Sequence, residues 1–173
     1  MGFEEWGKAI VEFVRANQVY AAPIVFVLAF GESIAFVSLI LPFWVMLVGI
    51  GTLIGASGLD FWTIWIAASL GAAFGDWVSY WLGKTYRYQI AKVWPLSIYP
   101  RLIPLGRLMF RRYGWLAIVI ARFTGPLRAS VPLVAGICEM QWVMFQIANF
   151  ASAFLWAGVL LAPGGYLAKF MPW

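Results

Sequence analysis

The chain has 173 residues, of which 64% are hydrophobic and 11% are charged, and its formal net charge is +5. Soluble domains average about 45–50% apolar and about 25% charged residues, so this composition excludes an ordinary soluble domain and indicates an integral membrane protein. The sequence has no histidine, which excludes Ser-His-Asp and Cys-His catalysis, and Cys138 has no second cysteine with which to form a disulfide.

The N-terminal segment is predicted to be an amphipathic helix that lies at the membrane interface. Within residues 3–15 the apolar side chains recur at helical spacing, and charged side chains take the other face. The apolar positions are Phe3, Trp6, Ile10, Phe13 and Val14.

Residues 19–59 are predicted to form a first broken hairpin and a span. The stretch is too long for one span, because a bilayer core of about 30 Å needs about 20 helical residues. Glu32 and Pro42 interrupt it. Two full spans, or a re-entrant hairpin followed by a span, would both fit. A polar interruption beside proline favours broken helices that are buried in protein or line a cavity.

Residues 61–83 are predicted to form a span with tryptophans near its ends, where aromatic belts lie. The next segment, residues 84–112, carries seven bases and no acid. This excess of positive charge predicts a cytoplasmic loop, and binding to anionic lipid headgroups explains it more simply than binding to nucleic acid. Residues 105–113 are expected to form an amphipathic helix on the cytoplasmic surface.

Residues 114–138 are predicted to form a second broken hairpin, because Gly125, Pro126 and Pro132 interrupt an apolar stretch. Residues 140–161 form the cleanest predicted span, which we expect to end at Pro163. Residues 1–173 are therefore predicted to form a single all-α membrane domain.

The two predicted hairpins share a weak repeat. Glu32 precedes Pro42 by ten residues, as Arg122 precedes Pro132. A polar residue with a serine three positions later follows each hairpin, as Asp76 with Ser79 and as Asn149 with Ser152. Transporters with inverted repeats place their sites on such paired discontinuous helices. The later spacings differ, at 34 residues from Pro42 to Asp76 and 17 from Pro132 to Asn149, so a chance similarity stays open.

Four charged residues lie within otherwise apolar stretches, namely Glu32, Asp76, Arg122 and Arg128. A charge at membrane depth is expensive, and such residues usually face a cavity, pair with one another and mark a substrate path. Six residues correspond to about 240° around a straight helix, so Arg122 and Arg128 need a helix break between them to reach one cavity.

Arginine is suited to bidentate capture of phosphate, so Arg122 and Arg128 are the candidate binding site for a phosphate headgroup. The alternative is that they form structural ion pairs with Glu32 or Asp76 and lock the hairpins together. Glu32 and Asp76 are the candidate counter-ions, whose protonation can change with occupancy and couple transport to protons. Asn149 and Ser79 are candidate supporting polar residues, although an interhelical hydrogen bond explains Asn149 equally well.

Three blocks of the sequence carry a more specific pattern. Residues 75–84 read Gly-Asp-x-x-x-Tyr-x-x-Gly-Lys. Residues 122–140 read Arg-Phe, then Arg128, then Pro-x-x-Ala-Gly and a final methionine. Residues 145–157 contain Phe145, Asn149, Ala153 and Trp156-Ala157. Together these blocks resemble the DedA family, also called the SNARE-associated or VTT-domain family, over most of the chain.

The resemblance implies two re-entrant hairpins that face each other in the bacterial cytoplasmic membrane, and it implies lipid translocation. Bacterial members of the family are associated with flipping undecaprenyl phosphate or phosphatidylethanolamine and with proton-dependent membrane homeostasis, and eukaryotic relatives are scramblases. Glu32, Arg122 and Arg128 match positions that the family needs for activity. Trp44 is a departure, because many members have an acid or small polar residue there.

The leading hypothesis is therefore a flippase- or scramblase-like transporter that moves undecaprenyl phosphate or a phospholipid between leaflets. The alternative is a proton- or ion-coupled transporter of a small solute with Glu32 and Asp76 as the relay, and a scaffold with purely structural charges is the third possibility. The expected partners are anionic membrane lipids and, with coupling, protons. An enzyme, a cofactor, a metal and a nucleic-acid partner are not expected.

Overall fold

The computed structural model of the chain describes residues 3–34, 47–51, 54, 59–90, 101–124, 128 and 130–170. These ranges contain helices and no β-strand, which confirms the all-α class for this part of the chain. The helices are α1 (Phe3–Ala16), α2 (Ala21–Ser33), α3 (Phe61–Thr85), α4 (Arg87–Ile90), α5 (Leu102–Tyr113), α6 (Leu116–Arg122), α7 (Ser130–Ile137) and α8 (Trp142–Phe170). A 3-10 turn over Gln18–Tyr20 joins α1 to α2, and residues 47–51 are also helical.

Helix α1 occupies the segment that was expected to be an amphipathic helix. Val14 is fully buried in the core, whereas Glu12 and Arg15 on the polar side are exposed. This separation follows the apolar spacing of the sequence, since residues that are three and four apart share a helix face. Its placement at a membrane interface remains a prediction.

Helix α3 is the centre of the fold and packs against α2, α7 and α8. It begins after Asp60, whose carboxylate accepts hydrogen bonds from the Thr63 backbone nitrogen at 2.9 Å and from Thr63 Oγ1 at 2.6 Å. This is an N-cap, which satisfies a backbone N–H that the first turn leaves without a helical partner. The same Thr63 side-chain and backbone hydrogen bonds hold the pKa of Asp60 below its usual value.

Glycines allow the backbone of α3 to lie directly against the backbones of neighbouring helices. A Cβ atom at Gly71 or Gly75 would collide with the backbone of α2, and one at Gly83 would collide with the Leu133 carbonyl of α7. On the facing helix, a Cβ at Gly136 would collide with the Tyr80 carbonyl of α3. Small residues at such spacing are the usual means of close helix packing in membranes, where apolar side chains gain little by leaving lipid. The close crossings hold α2 and α7 firmly against α3.

The start of α8 is attached to α3 by an aromatic pair. The rings of Tyr80 and Phe145 are stacked with centroids 4.2 Å apart, and both side chains are almost fully buried. The Tyr80 hydroxyl donates to the Met140 carbonyl at 2.6 Å, so its polar end is also satisfied. This contact fixes the point at which α8 crosses α3, and with it the register of the polar residues further along both helices.

Helix α8 contains the one described segment that is long and apolar enough to cross a membrane by length and composition. That segment is Trp142–Ala162, with 21 residues and a hydropathy of 1.6. The helix does not end at Pro163 as expected, because its backbone stays helical to Phe170. A proline removes one backbone hydrogen bond, and such a loss is tolerated in helices of membrane proteins.

Two other predictions need correction in their boundaries. The predicted loop over residues 84–112 contains more helix than expected, because α3 continues to Thr85, α4 follows it and α5 begins at Leu102. Pro132 does not break the second hairpin, since it lies in the first turn of α7, where a missing N–H costs little. Pro42, Gly125 and Pro126, the other predicted breaks, lie outside the described residues.

Candidate functional site

Arg122 is the last residue of α6 and only 6% of its surface is exposed. Its Nη2 forms an ion pair with Oδ2 of Asp76 on α3, and both side chains are buried. A buried charge is stable only when it is paired and its remaining hydrogen-bond capacity is filled. The ion pair meets the first of these needs and connects α6 to the central helix α3.

Helix α8 fills the remaining hydrogen-bond capacity of Arg122. Arg122 Nη1 donates to the Asn149 backbone carbonyl at 3.0 Å and to Ser152 Oγ at 2.9 Å. Arg122 Nη2 also donates to Asn149 Oδ1 at 3.3 Å. Arg122 therefore has an anionic partner on one side and a set of neutral acceptors on the other, an arrangement that holds its guanidinium in one orientation.

Asn149 has a further role in this network. Its Nδ2 donates to the Ala73 carbonyl of α3 at 2.9 Å, and the residue is completely buried. The side-chain amide thus bridges α3 and Arg122. Its nitrogen donates to the backbone of α3, and its oxygen accepts from the guanidinium. Of the explanations offered by the sequence, the structure shows the interhelical hydrogen bond, and a role of Asn149 at a substrate site stays a prediction.

Arg128 lies beyond α6 and reaches the end of α2. Its Nη1 lies 3.9 Å from Glu32 Oε1, and its Nη2 donates to Ser33 Oγ at 3.3 Å. The guanidinium carbon lies 4.2 Å from the centroid of the Trp156 ring on α8, which makes a cation–π contact. The Arg128 side chain is 12% exposed and that of Glu32 is 7% exposed. Arg128 is therefore buried but is held less tightly than Arg122.

The two arginines converge on one face of α8. Asn149, Ser152 and Trp156 follow each other at positions i, i+3 and i+7, which line one side of a helix. The first two contact Arg122 and the third contacts Arg128. The sequence interpretation required a break between the arginines for them to meet, and they do lie on separate segments, α6 and the residues beyond it.

Ser79 links the two halves of the network. Its Oγ donates to the Ser33 carbonyl at 3.3 Å and to the Gly75 carbonyl at 3.0 Å. Ser33 in turn accepts from Arg128 through its side chain, and Gly75 directly precedes Asp76. Ser79 therefore holds the end of α2 against α3.

The structure brings together six of the predicted site residues and selects between the pairings left open. Arg122 pairs with Asp76, and Arg128 pairs with Glu32. These are the ion pairs that the sequence analysis offered as the alternative to a phosphate-binding site. Together the four side chains carry two positive and two negative formal charges. The guanidiniums are accordingly covered by protein partners in this conformation.

Three contact residues were missed as site residues. They are Ser33, Ser152 and Trp156. Ser33 directly follows Glu32 and ends an apolar helix, and Ser152 and Trp156 share a helix face with Asn149. That helical spacing is the signal in the sequence that marks them. Trp156 is not exposed as an interfacial tryptophan would be, since only 7% of its surface is accessible.

Comparison with known proteins identifies the fold family. The family model for the VTT domain matches residues 41–166. The chain is 34% identical over 158 residues to inner membrane protein YabI of Escherichia coli, a match that covers 91% of this chain and 62% of YabI. It is 29% identical over 150 residues to inner membrane protein YqjA of Escherichia coli, with 84% of this chain and 67% of YqjA covered.

A membrane protein of Buchnera aphidicola subsp. Acyrthosiphon pisum is 29% identical over 161 residues, with 93% of this chain and 62% of that protein covered. The chain thus spans less than two thirds of the length of several of these relatives, among them YabI at 62%. No solved structure matches it. The matched VTT domain covers all of the charged network except Glu32 and Ser33, and the relatives are named as inner membrane proteins. The chain therefore belongs to the VTT-domain, or DedA, family and is an integral protein of the bacterial inner membrane.

Proposed function

We propose that this protein moves a phosphate-bearing lipid, such as undecaprenyl phosphate or a phospholipid, between the leaflets of the membrane. The observation that carries the proposal is the pair of buried arginines, Arg122 and Arg128, held against one face of α8. Guanidinium groups at membrane depth are costly and usually belong to a substrate path. Their chemistry selects an anionic substrate.

The partners of the arginines suggest how a phosphate would bind. A guanidinium offers parallel N–H groups that fit a carboxylate and a phosphate equally well. A phosphate group that enters the site therefore competes with Glu32 and Asp76 for the same N–H donors. In the absence of substrate the carboxylates neutralise the arginines, which lowers the cost of keeping the empty site inside a membrane.

The two arginines differ in how readily they can be released. Arg122 has the Asp76 ion pair and three further hydrogen bonds, at 2.9–3.3 Å. Among the described residues, Arg128 has its carboxylate partner at 3.9 Å and one hydroxyl acceptor at 3.3 Å. A longer ion pair costs less to separate, so Arg128 is expected to exchange Glu32 for the phosphate first, while Arg122 keeps the hairpin in position.

Reconstitution into liposomes tests the proposal. Headgroup accessibility would be followed for undecaprenyl phosphate and for several phospholipids, with the wild type compared with Arg128→Gln and Arg128→Lys. The matched control is Arg112→Gln, which removes an exposed arginine of α5 that is not among the contacts described for Arg122 and Arg128. We expect both Arg128 variants to lose most transport per folded molecule, since lysine keeps the charge but loses the fork of donors.

The same assay can also refute the proposed phosphate site. Unchanged translocation by Arg128→Gln at equal folded protein would refute the phosphate site. Equal losses in Arg112→Gln would show that the effect is one of overall charge and would equally refute it.

A second candidate function is proton- or ion-coupled transport of a small solute. It is favoured by the burial of both carboxylates, since Glu32 and Asp76 are each 5% exposed. Buried carboxylates within a membrane domain are the usual components of proton relays. Proteoliposomes distinguish the two functions. A solute transporter would take up solute in response to an imposed pH gradient and would not translocate lipid.

A further inference from the structure

A second basic site lies on α5, apart from the buried arginine pair. Arg107 and Arg111 are one helical turn apart and line a cavity of about 180 Å³ together with Cys138 and Met144. Both arginines are exposed, so the cavity has a charged outer side. For comparison, a cavity of about 150 Å³ in a protein interior can hold a benzene molecule. The space is therefore sufficient for a phosphate group and the atoms attached to it.

The two arginines of this cavity have no acidic partner in the described part of the chain. The recorded ion pairs there involve other cations, and Glu139, which follows Cys138, pairs with Arg87. The segment 84–112 contains no acid of its own. Two like charges one turn apart on a helix repel each other, so an anion between them would relieve an unfavourable interaction.

An apolar cavity adjoins the basic one. It has a volume of about 100 Å³ and lies between α5, α6 and α7, where Leu105, Met109 and Val134 contribute to its wall. Phe110 lines both cavities. Two cavities with mainly apolar walls that share Phe110, one of them with two exposed arginines at its side, match the two ends of a membrane lipid.

The exposed face of α5 is suited to the same environment. Leu105 and Leu108 are 52% and 62% exposed, on the helix that also carries Arg107 and Arg111. A helix with exposed apolar and basic side chains is typical of those that lie in the headgroup region of a bilayer. The basic cavity would then open at the depth at which lipid phosphates are found.

We propose that this double cavity binds an anionic phospholipid, with its phosphate between Arg107 and Arg111 and the start of one acyl chain beside Phe110. The site is separate from Arg122 and Arg128 and does not depend on the transport function. Charge-assisted hydrogen bonds from two guanidiniums give it a preference for anionic over zwitterionic lipid.

Native mass spectrometry of the delipidated protein, titrated with phosphatidylglycerol or phosphatidylcholine, tests the proposal. The test variant is Arg107→Gln with Arg111→Gln, and the control is Arg112→Gln. Arg112 lies on the same helix, but its guanidinium is 5.4 Å from the centroid of the Tyr113 ring and does not line the cavity. We expect at least about tenfold weaker phosphatidylglycerol binding in the double variant and wild-type binding in the control.

Three outcomes would overturn the proposal. The first is wild-type affinity for phosphatidylglycerol in the double variant, and the second is an equal loss in Arg112→Gln, which would indicate general charge attraction. The third is displacement of the lipid by inorganic phosphate at equal concentration, which would show that the apolar cavity takes no part. Thermal unfolding without lipid checks that the surface substitutions leave the fold intact, and both positions are exposed, so little change is expected.

Discussion

The guanidinium of Arg128 lies over the ring of Trp156, with 4.2 Å between the guanidinium carbon and the ring centroid. One flat side of the guanidinium is thereby covered by an apolar surface, while its N–H edges point towards Glu32 and Ser33. Since the strength of a buried cation–π contact is about 2 kcal/mol, this contact holds Arg128 in place when its carboxylate partner is released.

Replacement of Trp156 by leucine should therefore weaken substrate binding. We expect the lipid concentration at half-maximal transport to rise several-fold and up to about 30-fold, which corresponds to the loss of about 0.5–2 kcal/mol. Trp156→Phe should fall between leucine and the wild type, because phenylalanine keeps a weaker aromatic face. Trp77→Phe, at a half-exposed position of α3, serves as the control and should behave as the wild type. Wild-type transport by Trp156→Leu would show that Arg128 needs no aromatic support.

The two ion pairs should differ in their effect on stability. Asp76→Asn leaves Arg122 buried without its carboxylate, and breaking a buried pair in this way costs about 3–5 kcal/mol. Glu32→Gln should cost less, because its oxygen is 3.9 Å from Arg128, which keeps Ser33 and Trp156 as partners. Thermal unfolding in detergent would measure both changes. A larger loss in Glu32→Gln than in Asp76→Asn would contradict the assignment of Arg122 as the more firmly held arginine.

Transport should depend on pH through Glu32. When the Glu32 carboxylate is ionised it competes with an anionic lipid for Arg128, and protonation releases the guanidinium. Transport should therefore rise as the pH is lowered, and Glu32→Gln should remove most of this dependence. Glu12→Gln, which alters an exposed carboxylate of α1, is the control and should keep the wild-type profile.

The pH experiment also tests the alternative that Glu32 only supports the predicted first hairpin. In that case Glu32→Gln would lower stability, and transport per folded molecule would keep its normal pH profile. Flipping measured against pH in liposomes, at equal amounts of folded protein, separates the two possibilities.

Close helix packing predicts that a single methyl group at Gly75 is destabilising. An added Cβ would lie within 3.0 Å of the Phe30 carbonyl oxygen and the Ser33 Cβ of α2, so the end of that helix must move. Overpacking of this kind costs about 1–3 kcal/mol. Gly51→Ala is the matched control, because the nearest atoms to a Cβ there are at 3.6 Å. Unfolding temperatures that fall equally for both variants would argue against the close crossing of α2 and α3.

The basic segment should lie on the cytoplasmic side of the membrane. Gln89, at an exposed position of α4, can be changed to cysteine in a Cys138→Ser background. Because positively charged segments stay in the cytoplasm, an impermeant thiol reagent should label it in opened cells but not in intact ones. Rapid labelling from outside would reverse the orientation.

Composition and the positions of rare charges were enough to determine the class of this protein. Continuous apolar stretches of about 20 residues are long enough to cross a membrane as helices, in which every backbone group has an internal partner. The few charges left within apolar stretches had to pair or to serve a substrate, so Glu32, Asp76, Arg122 and Arg128 could be selected without a structure. Helix boundaries were less accurate, because Pro132 and Pro163 lie within helices that their neighbours hold in place.

The pairing of the charges was decided only by the tertiary structure. Asp76 lies 46 positions before Arg122, and no local periodicity connects residues so far apart. Their contact depends on where α8 crosses α3, which the stacked Tyr80 and Phe145 help to determine, and on the packing of α6 against α8. The same crossings place Trp156 over Arg128 and Ser33 beneath it. Side-chain contacts between helices follow from packing geometry in three dimensions, and the order of residues along the chain does not specify that geometry locally.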